Sequence, residues 1–213
     1  MTQIGAKDRI FACIKNKFYY SSYDGTLFKD IAKEADVPLS LITYHFKTKN
    51  NIIQIIFEDF YRKINERLKD YGYLNINNAL YRQIIISFIY NTVIFSDENN
   101  LRFYRDLRTK GIPLFAAGSV VDEVQLAIIS DFNISLSERK MNLLYHIYSA
   151  GRVGFFNYIF NNDIDVDIFE IVSTAECIFP RLLGIEPSII DRYVIDAQSA
   201  VKEIEYSDIK LLL

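Results

Sequence analysis

Between Leu39 and Lys49 the chain gathers side chains suited to gripping an anionic polymer: Leu39, Ser40, Thr43, Tyr44, His45, Lys47 and Lys49. Lysine, tyrosine and imidazole donate to phosphate oxygens, while short hydroxyls and a small apolar side chain fit base edges. Thr26, a little upstream, adds a hydroxyl to the set. Spacings that make or break bonds are missing from the sequence. There is no HExxH, GxSxG, Walker loop or EF-hand pattern, and the histidines His45 and His146 stand about a hundred residues apart. Cys13 and Cys177 have no CxxC or Cys/His neighbour, so reduced thiols, no metal, no cofactor and no enzyme activity are expected.

The formal net charge of −3 argues against a polyanionic partner only if it is evenly spread. It is not. Residues 1–49 hold eight Lys and Arg against five Asp and Glu, whereas 50–213 hold sixteen against twenty-two. The basic amino-terminal end is the candidate nucleic-acid face.

The elements that must position these residues are helices, because 3.6-period apolar spacing recurs and period-2 alternation does not, so the expected class is all-α with about nine or ten helices. Ile10, Ile14 and Phe18 mark a first helix. A short second one over about 27–35, capped by Thr26, and a third over about 39–45 flank the break at Asp36-Val37-Pro38. That is a helix-turn-helix: Ile31, Ala32 and Ala35 permit a close crossing, Val37, Ile42 and Phe46 plug it, and Asp36 supplies the positive φ of the turn. Leu39, Ser40, Thr43 and Tyr44 then point outward, toward a major groove. Lys47 and Lys49 fall at the start of a helix over 49–71, where free N–H groups also attract phosphate. His45 reads equally well as a phosphate contact or as a half-buried, hydrogen-bonded ring.

Beyond Gly72, helices are expected from about 75–78 to 95, from a break at 97–100, from Gly111-Ile-Pro113 to about 131, over 137–160 behind a Ser135/Glu138 capping box, over 165–184 with a kink at Pro180, and from Pro187 to about 203. The carboxy-terminal Ile209 to Leu213 either docks or frays. The longest apolar run, Ile84 to Phe95, is interrupted by polar residues and falls short of the roughly 18 to 20 residues of a membrane span. With no leader pattern after Met1, a cytoplasmic protein without a membrane partner is expected.

From Ile10 to Lys49 the sequence resembles the TetR family of transcriptional regulators without a gap: Thr26, Asp30-Ile31-Ala32, Ala35, Val37, Ser40-Leu41-Ile42, Tyr44-His45-Phe46 and Lys49 stand in matching places. It departs at Lys17, Ser22, Asp36 and Thr43. The resemblance implies that Thr26, Tyr44, His45 and Lys49 contact phosphates while Leu39, Ser40 and Thr43 meet base edges. It also implies a DNA-binding domain over 1–48 and a helical ligand-binding and dimerisation domain over 49–213. The expected function is a homodimeric repressor released from a palindromic operator in double-stranded DNA by a small-molecule effector, with helices 137–160 and 165–184 forming the dimer interface. The alternative is a helical ligand-binding or adaptor protein without DNA binding.

The chain has 15 Tyr and 16 Phe, most of them after residue 50, which is material for a cavity between helices or for ordinary core. Candidate lining residues are Phe88, Phe95, Phe103, Tyr104, Phe115, Tyr145, Tyr148 and Phe155, with Phe156 beside them. Asn91, Arg105, His146 and Arg152 are the polar exceptions that either orient a ligand or form internal pairs.

Overall fold

A computed structural model of the chain describes residues 5–73, 78–116 and 119–213, and every regular element among them is helical. Helix α1 (Ala6–Tyr20) buries Ile10, Ile14 and Phe18 at four-residue spacing. Helices α2 (Phe28–Glu34) and α3 (Leu39–Phe46) form the helix-turn-helix, and the turn between them places Asp36 at φ 51°, as a tight left-handed turn requires. Thr26 is not the cap of α2. That position belongs to Leu27 without a side-chain bond, while Thr26 is buried and its hydroxyl donates to the Ser22 carbonyl at 3.0 Å.

Helix α4 (Lys49–Asp70) is capped by Thr48, whose hydroxyl accepts the Asn51 amide at 3.2 Å, and it stops at Gly72, where φ is +76°. Asn78 caps α5 (Ala79–Phe95); the expected start at 75–77 lies outside the described residues. Helix α5 is buried nearly all round, because α4, α6 (Glu98–Thr109), α7 (Val120–Asp131) and α11 (Pro187–Val201) pack around it. The break before α6 is shorter than expected, since Asp97 accepts the Asn100 amide and the helix begins at Glu98.

Helix α8 (Glu138–Asn161) starts from Ser137, which accepts the Lys140 amide, so the Ser135/Glu138 box is displaced by two residues. The expected box chemistry occurs one helix later, between Asp167 and Glu170. There α9 (Ile168–Ile171) widens into a π-turn at Val172–Glu176 before α10 (Ile178–Leu182). The distortion precedes Pro180 because a proline has no N–H for the carbonyl of residue 176 and its ring crowds that carbonyl. The carboxy terminus docks: Ile209, Leu211 and Leu212 are buried, and Arg67 pairs with Asp208 at 2.7 Å. One apolar cluster runs from Ile10 in α1 through α4 and α5 to Leu212. No helix of the described residues is long and apolar enough to cross a membrane.

Candidate nucleic-acid interface and body cavity

Helix α3 is anchored by two residues, Ile42 and Phe46, which are buried, and that anchoring decides what it presents outward. Leu39 is 47% and Tyr44 78% exposed, and Ser40 and Thr43 are exposed beside them. Thr43 spends its hydroxyl proton on the Ser40 carbonyl at 3.0 Å, leaving its lone pairs outward. His45 is half-buried, edge-on to Tyr44 and Phe46. Lys47 is exposed and holds φ at 57°, a left-handed backbone that most side chains avoid. Lys49 turns inward: its ammonium donates to the Tyr23 carbonyl at 2.8 Å and lies 4.5 Å from the Tyr23 ring centre. Burial lowers its pKa, against the opposing pull of Asp24 and Asp106.

The α1–α3 unit is held to the rest by more than α4. From α6, Arg102 donates to the Tyr19 carbonyl and Asp106 accepts the Tyr23 amide at 2.7 Å. Phe103 packs on Phe18 with ring centres 5.0 Å apart, and Lys110 just past the helix pairs with Asp24 at 2.9 Å.

In the body, most of the aromatic supply is solid core. Phe88, Asn91, Phe103 and Tyr104 are buried; Phe95 packs on Tyr104 and Phe160, and Phe155 on Phe156. Arg105 is exposed and pairs with Asp163 at 2.9 Å, and His146 is exposed. None of these eight lines the space of about 220 Å³ between the 111–115 segment, α7 and α8, one of several cavities among the described residues. Four of the expected residues do meet there, Phe115, Tyr145, Tyr148 and Arg152, joined by Arg108. Arg152 pairs with Glu176 of the π-turn at 2.7 Å, both largely buried. Burial works against the Arg152 charge, but Glu176 holds its pKa well above the ordinary value. Arg108 is buried, donates to the Tyr104 hydroxyl at 2.8 Å and stacks over the Tyr104 and Phe156 rings, and its Nε has no partner.

Two curated relatives share this helix-turn-helix chemistry by name. The chain is 26% identical over 100 residues to the "Probable HTH-type transcriptional regulator YttP" of Bacillus subtilis (strain 168), covering 47% of each chain. It is 26% identical over 133 residues to the "Biofilm operon icaADBC HTH-type negative transcriptional regulator IcaR" of Staphylococcus aureus (strain Newman), 62% of this chain and 66% of the relative. The chain thus spans about half to two thirds of the length of the curated relatives it matches. No family model matches, and no solved structure does. The chain is thus similar to HTH-type transcriptional regulators, in keeping with its resemblance to the TetR family.

Three departures from the TetR pattern have local explanations. Lys17, at a usually apolar place, ties α1 to α2 through Glu34 at 2.7 Å, and that bond raises its pKa. Ser22, at a usual glycine, accepts the Gly25 amide at 3.0 Å. Asp36 takes the left-handed φ itself. Arg108 was absent from the sequence-based site, although its signal is visible: it continues the buried stripe Asn100, Phe103, Tyr104 and Leu107 of α6, so a charge was bound to fall inside.

Proposed function

We propose that this chain is a transcriptional repressor that binds operator DNA as a homodimer through α3 and lets go when a small molecule occupies the body. The observation that carries the DNA reading is the exposed row Leu39, Ser40, Thr43 and Tyr44 on a helix whose opposite side is fully buried. The sign of regulation is taken from the relative named as a negative regulator. Residues 1–48 act as the DNA-binding unit and 49–213 as the effector and dimerisation unit. For the dimer, α8 offers Leu143, Ile147, Gly154 and Tyr158, an exposed run at four- and seven-residue spacing on one face of the helix. Two half-sites about 34 to 36 Å apart call for a two-fold protein, and an isologous contact along this run is the one we propose.

The coupling runs through contacts already described. Phe115 lines the cavity and touches Phe57 and Tyr61 of α4, with ring centres 6.2 and 6.1 Å away. Arg108 sits on α6, which also holds the loop after α1. A ligand that moves either helix changes the pose of both heads, and linkage demands that operator DNA weaken the ligand by the same factor.

Fluorescence anisotropy with the DNA upstream of the chain's own coding sequence, across a salt series, tests the proposal. Affinity falls steeply with salt; Tyr44→Ala weakens all sequences alike, and Ser40→Ala changes which sequence is preferred. Salt-independent affinity, or affinity unchanged in Tyr44→Ala, refutes it.

A further inference from the structure

The lining of the cavity carries positive charge and no negative charge of its own. Two guanidiniums, Arg108 and Arg152, line it, and among the described residues that line it there is no carboxylate. Glu176 neutralises Arg152 from behind, and the nearby Asp122 carboxylate accepts from Tyr145. Arg108 makes no ion pair among the described residues; aromatic faces and one tyrosine hydroxyl are its only partners. A buried cation in that condition is costly unless an anion completes it. The space beside it, about 220 Å³, exceeds the roughly 150 Å³ that accommodates a benzene ring. Its walls are Phe115, Tyr145 and Tyr148, with Leu114 and Val153.

Resting on the small-molecule reading above, we propose that the effector is an aromatic monocarboxylic acid, its ring between Phe115 and Tyr148 and its carboxylate on Arg108. A carboxylate gives Arg108 the ion-pair partner it lacks among the described residues, whereas a neutral or cationic ligand leaves that guanidinium unpaired. The planar fork of arginine suits a carboxylate. The fit also explains a departure from ordinary core design: a leucine or methionine at 108 would pack the same stripe without the desolvation cost.

The test is isothermal titration of the full chain with benzoate, its neutral isostere benzamide and its cationic isostere benzamidine. Benzoate binds at least tenfold more tightly than benzamide, and benzamidine does not bind. Arg108→Gln lowers benzoate affinity by roughly 10- to 100-fold, the worth of a charged hydrogen bond, and leaves benzamide unchanged. Arg108→Lys, which keeps the charge without the fork, loses less, and Val153→Phe, which fills the space, abolishes binding of both ligands while circular dichroism stays that of the parent. The inference is overturned if benzoate fails to bind at millimolar concentration, if benzamide or benzamidine matches it, or if a folded Arg108→Gln or Val153→Phe binds benzoate as the parent does. Parallel titrations with operator DNA keep the two readings apart. Benzoate that binds through Arg108 without weakening the DNA complex sinks the switch and leaves the ligand class standing. A neutral ligand that weakens it does the reverse.

Discussion

Replacing Glu176 by leucine while leaving Arg152 in place is the most demanding perturbation of the body. The carboxylate and guanidinium meet at 2.7 Å with side chains only 6% and 15% exposed, so the pair lies in a poorly screened setting. Arg152 also lies over the Tyr148 and Phe156 rings and cannot swing to water without dismantling that packing. Removing one partner of a buried pair strands the other charge and costs about 3 to 5 kcal/mol, a large share of the 5 to 15 kcal/mol typical of whole proteins. For a chain of this size the melting temperature falls by about 6 to 20 °C. Adding Arg152→Met removes the stranded charge, and most of the loss returns, because an apolar pair of similar volume is nearly neutral. Urea unfolding at fixed protein concentration, followed by circular dichroism, reads both variants; fixing the concentration matters if the protein dimerises. A single variant that costs under about 1 kcal/mol, or a double variant no better than the single, refutes the account of Arg152 as a trapped charge.

Ile147→Asp places a charge on the exposed α8 run and is expected to yield a folded monomer by light scattering; a persistent dimer moves the interface elsewhere. Lys47→Gly relieves the left-handed φ of 57° and raises stability by about 1 kcal/mol while weakening DNA binding, so a fall in both would mean that the backbone there is unstrained. Burial, with Lys63 nearby and Asp59 opposing, brings Lys15 from 10.5 down to about 8 in the fold. Its protonation therefore favours the unfolded chain: the stability advantage of Lys15→Met over the parent grows as pH falls from 10.5 to about 8, then stays constant. An advantage that does not vary across that window would show that Lys15 is solvated.

The helix-turn-helix was legible because its constraints are local: Ala32 and Ala35 at a crossing, Asp36 in a turn and a buried Ile42 and Phe46 four residues apart leave few other arrangements. Helix ends were less so. Ser135 and Ser137 are both competent caps, and the helix takes the second. The sequence shows only a kink at Pro180 and not the π-turn before it, since the hydrogen-bond register of the turn leaves no mark on composition. The cavity was the least legible, because lining and core use the same aromatic residues, and what separates Tyr148 from Phe88 is which neighbouring helix fails to fill the gap. Arg105 and Arg108 stand three residues apart, and helical phase alone sends one to Asp163 at the surface and the other inside.

The grip of α6 on the loop after α1 bears on how far such proteins are interchangeable parts. A cut after residue 48 separates the chain but not the structure, because the Tyr23 amide, the Tyr19 carbonyl and the Phe18 ring are completed by Asp106, Arg102 and Phe103. A head grafted from a relative onto this body would face those three side chains unmatched, with an amide and a carboxylate each seeking a new partner. In this chain the head and the face of α6 that holds it form one surface, so the unit of inheritance is shared by two stretches of sequence.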